Sequence, residues 1–407
     1  MAGPLAGMKV LDLSRILAGP WLTQILSDLG AEVWKIERPG SGDDTRHWGP
    51  PYLKDEGGND TEDSAYFQAA NRGKRSICVN IKSPEGQEII RMLAAKADVF
   101  VENYKFGDLD KCGLGYEDIK AVRPSIVYCS ITGYGHTGPY KERAGYDMAI
   151  QAISGLMSFT GEHHDLPGGG PQKVGVPIAD LMTGTLSSAA TIAAYHHAKA
   201  TGQGQHIDMA LLDVMVSSLA NQNMNYLVGG VLPRPLGNAH PNIVPYQVFH
   251  TKDGSFVLAV GNDRQYRKFC DIAGCPELAE DSRFLENSDR LANREALADL
   301  IQAVVERKTT DHWVQTLSDA GVPCSPINNL KQVFDNEQIV HRGLQITGKH
   351  ARNDQMPMVG SPIKYSETPV EHQNAPPVLN QHRDYILDEV LSLSDDCKRR
   401  LACGIPK

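Results

Sequence analysis

Five short apolar runs, separated by stretches of helical period, dominate the first 135 residues: KVLDL, EVWKIE, SICVNI, DVFVEN and IVYCSITGYG. Between the first two, the residues from about Trp21 to Leu29 carry helical spacing, and Gly30 closes it. Between the third and fourth, Ser83 offers a capping hydroxyl and Pro84 a ring that needs no N–H donor, while Ile89, Ile90 and Leu93 supply one apolar face. Strands that are apolar throughout and joined by helices of this length pack as a mostly parallel sheet covered on both faces. The expected class is therefore α/β, with ligands at the carboxyl ends of the strands.

From Tyr146 to Gly229 the pattern is mainly helical, broken by GEHHDLPGGGPQ and by a short strand, HIDMAL. A Pro-rich connection, Pro233 to Pro245, leads to YQVFHTKDGSFVLAV, which reads as a hairpin about an Asp-Gly turn, and helices follow to about Gly321. This reading makes 1–225 a large domain, 226–330 a linker and smaller α+β domain, and 331–407 a final segment with a last amphipathic helix beginning near Gln381.

The 40 Lys and Arg against 49 Asp and Glu, a net charge of -9, exclude a general nucleic-acid binder. The eight cysteines form no CxxC, and Cys270 and Cys275 lack further partners at metal-ligand spacing, so reduced thiols and no metal are expected. No basic stretch with an apolar core follows the start, and about 18 consecutive apolar residues occur nowhere. The expectation is a cytoplasmic chain without membrane association, or one of the mitochondrial matrix if a presequence had been removed.

A dinucleotide-binding loop does not fit SRILAGP, which has one glycine where GxGxxG needs three, so Glu37 is expected to serve a helix or loop and not a ribose. Arg15, Arg38, Arg46, the NRGKRS cluster, Lys82, Lys111 and Arg143 gather at strand ends and suggest a pocket for a phosphorylated or carboxylated ligand. His163, His164 and Asp165 do not complete a metal shell, and the three glycines after them suggest a mobile lid. Asp180, in VGVPIADLMTG, stands where an apolar run meets a long stretch of small residues. It is expected to cap that helix, and a poorly hydrated carboxylate there is also a usable nucleophile toward an activated acyl group.

LDLSRILAGP, KIERPGSGDDTR, NRGKRSI, DVFVENY, GLGYEDI, SITGYGHTGP, RAGYD, IADLMTG and GVPCSPINN, in this order, closely resemble the class III CoA-transferases related to formyl-CoA transferase and carnitine CoA-transferase. The resemblance implies an interlocked homodimer whose subunits each have a Rossmann-like large domain, built from both chain ends, and a small domain between. It implies that Asp180 attacks an acyl-CoA thioester to give a mixed anhydride and then an aspartyl-CoA thioester. Coenzyme A and acyl-CoA would be substrates, with no prosthetic group. Arg38, Val79, Lys82, Asn103, Tyr104, Lys111 and Arg143 match or lie near the family's CoA contacts. The expected acids are small dicarboxylates such as glutarate, hydroxymethylglutarate or itaconate, with succinyl-CoA as donor and Arg15 holding the distal carboxylate.

The family's glycine-rich loop over the aspartate has no counterpart, and LGNAHPNIVPYQ occupies its place, leaving His240, Asn242 or the triple-glycine segment to shield the anhydride. Two alternatives remain. Alpha-methylacyl-CoA racemases share the fold but need a histidine in GHD where this chain has Tyr146 in GYD, and a nicotinamide-dependent dehydrogenase is the more distant one.

Overall fold

A computed structural model describes residues 3–370 and 374–405; Met1 and Ala2, with 371–373 and 406–407, lie outside the described residues. By packing, the chain divides into two units. The first comprises residues up to Leu156, Val174–Leu227 and Gln338 onward, and the second Met157–Lys173 and Val228–Glu337.

The first unit is built on six strands: β1 (Lys9–Asp12), β2 (Glu32–Glu37), β3 (Arg75–Cys78), β4 (Val99–Glu102), β5 (Val127–Thr132) and β6 (Gln205–Ala210). All neighbours pair in parallel, in the order β3-β2-β1-β4-β5-β6. The chain thus reverses its direction of travel across the sheet between β1 and β4, and the crevice at their carboxyl ends is where such a sheet receives a ligand. Alternate residues serve opposite faces. Leu11, Trp34, Phe100 and Tyr128 enter one core, and Val10, Val33, Val101 and Cys129 the other, which is why the strands read as unbroken apolar runs.

The crossover helices are α1 (Ala18–Asp28), α2 (Pro84–Ala94) and α3 (Tyr116–Val122), followed after β5 by α4 (Asp147–Ile153), α5 (Ile178–Thr201) and, after β6, α6 (Leu211–Ser218). Ser83 caps α2 through the N–H of Gly86, with Pro84 in the first turn, as the sequence dictates. The chain's far end returns to this unit. His382 N–H donates to Ser76 O at 2.9 Å, and Ile386, Leu387, Leu401 and Ile405 pack with Ile89 and Leu93. The helix expected from Gln381 is instead a six-residue π-helical turn, Tyr385–Val390, and a separate helix, Asp395–Arg400, parted by Ser392 at φ +55°.

The second unit has its own core, with Phe249, Phe256, Phe269 and Trp313 among its members. The expected hairpin is β7 (Tyr246–His250) with β8 (Ser255–Ala259), joined by β9 (Cys324–Pro326) into an antiparallel sheet flanked by helices. No described helix is long and apolar enough to cross a membrane.

Candidate active site

The loop after β1 rests on buried charge. Asp12 accepts from Thr23 Oγ1 at 2.6 Å and Lys74 Nζ at 3.2 Å. Lys35 Nζ donates to Asp43 at 2.9 Å and to Ser14 O at 3.1 Å, and both side chains of that pair are fully buried. Burial alone would raise the Asp12 carboxyl, but Lys74 and Lys35 hold it below its ordinary value; Asp43 is held down likewise by Lys35 and Thr45. Glu37 takes Arg46 in a fork, Nε at 2.7 Å and Nη2 at 2.8 Å, and also accepts from the Asp43 N–H.

Arg46, Lys74 and Arg72, the last paired with Asp28, are therefore consumed inside the fold, which corrects their expected place in an anion pocket. The same geometry disposes of a dinucleotide site. Glu37 has no acceptor left for a ribose, and Gly19 is needed because a Cβ there would stand 2.4 Å from Ser14 Oγ, within the loop itself.

On this base the loop presents Arg15. Its N–H donates to Asn103 Oδ1 at 2.8 Å and its C=O accepts from Asn103 Nδ2 at 2.7 Å, so β4's loop grips β1's loop across the switch point. Ile16 follows at φ +70°, a left-handed conformation that a β-branched residue adopts at a cost of about 1–3 kcal/mol, with its N–H turned to the Asp43 carboxylate.

Asp180 is carried by α5, which crosses α1 closely because residue 184 is glycine: a Cβ there would lie 2.4 Å from the Ala18 carbonyl. Trp21 Nε1 reinforces the crossing through Thr185 Oγ1 at 3.2 Å. Asp180 is not the helix cap that the sequence suggests. Pro177 holds that position, and the Ala179 N–H is taken by Asp147 Oδ1 at 2.8 Å, leaving the Asp180 carboxylate in the first turn with no hydrogen-bond donor among the described residues. Burial first, and the charge of Asp147 second, push its pKa up to about 7.

Two adjoining clefts meet at Arg15 and Tyr104, both of which line each of them. The larger, about 430 Å³, is walled by Ile36, Val79, Ile81 and Tyr104, with Arg38 and Lys82 exposed on its border. The smaller, about 140 Å³, brings Asp180 together with Arg15, Asn103, Lys141, Arg143 and Tyr146. Its floor depends on Gly133 and Gly145, whose backbones touch: a Cβ on Gly133 would stand 2.5 Å from the Gly145 Cα.

The structure thus gathers Arg38, Val79, Lys82 and Tyr104 in one cleft, and Asn103, Arg143 and Asp180 in the other. Lys111 lines neither; it is exposed and paired with Asp108 at 2.8 Å. His240 and Asn242 belong to the second unit. There the His240 ring stacks on Tyr246 at 5.2 Å and accepts from the Asn242 N–H, and burial, then Arg294, lowers its pKa.

Four residues that support the site are not singled out by the sequence reading, although they lie in its motifs: Asp147 of RAGYD, Glu102 of DVFVENY, and Asp43 and Asp44 of GSGDDTR. Glu102 is buried, accepts the Tyr104 N–H at 2.7 Å, and is pushed by burial to a pKa of about 7. A carboxylate closing a parallel strand, and adjacent acids in a glycine-rich loop after one, are the signals that could have marked them.

Comparison with known proteins bears on this site. The profile of CoA-transferase family III matches residues 5–383. The succinate–glutarate CoA-transferase of Agrobacterium fabrum is 45% identical over 387 residues, covering 95% of this chain and 96% of its own. The human succinyl-CoA:glutarate CoA-transferase is 45% identical, covering 96% and 87%. A crystal structure of a CAIB/BAIF family protein from Brucella suis superposes with a TM-score of 0.84 at 48% identity, over 96% of this chain and 100% of its own. The chain belongs to CoA-transferase family III and is a CoA-transferase.

Proposed function

We propose that the protein exchanges coenzyme A between succinyl-CoA and a small dicarboxylic acid of the glutarate, hydroxymethylglutarate or itaconate kind, with Asp180 as the acyl carrier. The observation that carries this is a half-buried carboxylate with no hydrogen-bond donor among the described residues, in one cleft with Arg15. A carboxylate so poorly solvated is reactive toward a thioester, and an arginine nearby suits an acid with a second carboxylate. The substrates of the two relatives, as their names give them, agree with that class.

In this scheme an Asp180 oxygen attacks the thioester carbonyl; the C–S bond breaks and the thiolate leaves, giving a mixed anhydride. The thiolate then attacks the aspartyl carbonyl and expels the donor acid as its carboxylate, leaving an aspartyl-CoA thioester. The acceptor carboxylate repeats both steps in reverse. No proton is gained or lost, so the site requires no general acid or base. Arg38 and Lys82 would meet the phosphates of CoA, while Val79 and Tyr104 line the path of its adenine or pantetheine; Asn103 and Arg143 would contact CoA where the clefts join.

The active form is proposed to be the interlocked homodimer. Met148, Ile153, Leu186, Met224 and Leu227 are large apolar side chains left exposed on one chain, a surface that a second copy would cover.

The test is to quench enzyme during turnover of succinyl-labelled succinyl-CoA, treat it with hydroxylamine and map the modified carboxyl by peptide mass. Modification at Asp180, and its loss together with exchange in Asp180→Ala, are expected. Modification at another residue, or exchange that survives the substitution, overturns the mechanism. An alpha-methylacyl-CoA racemase activity would instead release alpha-deuterium without exchanging acids.

A further inference from the structure

Arg15 is held far more firmly along its backbone than at its guanidinium. Asn103 grips both its N–H and its C=O, and Asp43 holds the left-handed Ile16 that follows. The guanidinium pairs with Asp44, Nη1 to Oδ2 at 2.8 Å, while its Nε is shut off from solvent without a hydrogen-bond partner among the described residues. Two adjacent aspartates therefore do different work. The Asp43–Lys35 pair is fully buried, but the side chains of Arg15 and Asp44 are 29% and 37% exposed. An ion pair that open to water contributes little, so another anion can replace it.

We propose that Asp44 is a specificity-determining residue: it stands in for the distal carboxylate of the substrate, yields Arg15 when a dicarboxylate enters and takes it back when the product leaves. This rests on Arg15 as the partner of that distal carboxylate. A dicarboxylate then exchanges one carboxylate for another at Arg15. An acid with a neutral tail meets an arginine that is already paired. Without Asp44 the cation would have no resident anion, and dicarboxylates would be held more tightly and released more slowly.

The experiment compares the intact enzyme with Asp44→Asn, Arg15→Met and the double variant, at fixed succinyl-CoA. Glutarate is set against its half-amide, which keeps one carboxylate and replaces the other by an isosteric amide. If the half-amide is not turned over, its inhibition constant against glutarate is read instead. Asp44→Asn is expected to lower the KM for glutarate roughly two- to fivefold while the half-amide stays within error, the range that an exposed pair allows. In the Arg15→Met background the same change should have no effect on the ratio. Equal movement for both acids, no movement, or a raised KM for glutarate overturns the proposal. If Arg15→Met impairs both acids equally, the role of Arg15 fails and Asp44's with it. If Arg15→Met is selective and Asp44→Asn is silent, only Asp44's role is lost.

Discussion

Asp180→Asn should stabilise the protein while abolishing exchange, and the gain should depend on pH. The side chain keeps its shape but cannot ionise. In the folded protein burial and Asp147 raise the carboxyl from an ordinary 3.8 to about 7, so between those values the folded state holds a proton that the unfolded state has lost. Stability then falls as pH rises, by about 1.4 kcal/mol per pH unit across that window. Some 3 units give a ceiling of about 4 kcal/mol, and partial exposure of the carboxylate makes about 2 kcal/mol the more realistic figure. The contribution is absent near pH 4 and complete above pH 7. Urea unfolding of both forms from pH 4.5 to 8, at one protein concentration, gives the comparison directly, because other titrating groups such as Glu102 cancel in the difference. A variant that gains nothing as pH rises, or is the less stable form at pH 8, refutes the claim that this carboxylate is held in the fold at a cost.

The same carboxylate should give kcat/KM for exchange an ascending limb below about pH 7 and a plateau above it, since in the proposed mechanism only the ionised form attacks; Asp147→Asn, by removing the like charge, should move the limb to lower pH, and an unmoved limb would refute that contribution. Gly184→Ala places a methyl group 2.4 Å from the Ala18 carbonyl, so α5 and α1 should separate at a cost of about 1–3 kcal/mol, with exchange reduced as Asp180 shifts; unchanged melting and activity would show the crossing to be looser than described. Arg46→Met leaves Glu37 buried beside an apolar chain and should cost about 3–5 kcal/mol in urea unfolding, whereas Lys111→Ala, removing an exposed pair, should leave the midpoint unchanged.

How far the sequence discloses this protein depends on the kind of physics each residue obeys. Apolar period and caps are local properties, so β1 to β6, the Ser83–Pro84 helix start and the hairpin of the second unit were legible residue by residue. Charge is not local. Arg15, Arg46, Lys74 and Arg143 look alike in a sequence, each a cation near a strand end. Yet Arg46 and Lys74 are buried against Glu37 and Asp12, while Arg15 and Arg143 face the cleft. What separates them is the position of a carboxylate many residues away, which only the folded topology supplies: Asp12 lies 62 residues before Lys74, and meets it because β1 and β3 flank β2. Asp180 shows the reverse error. Its residue type and neighbours fit a helix cap, but Asp147, 33 positions earlier by number, occupies the orphan N–H that a cap would satisfy. The helix start therefore does not need the Asp180 oxygens. A carboxylate relieved of its structural duty by another carboxylate nearby is left underhydrated and harder to ionise, and that single substitution of roles leaves at an ordinary helix start the kind of carboxylate that the proposed acyl transfer requires.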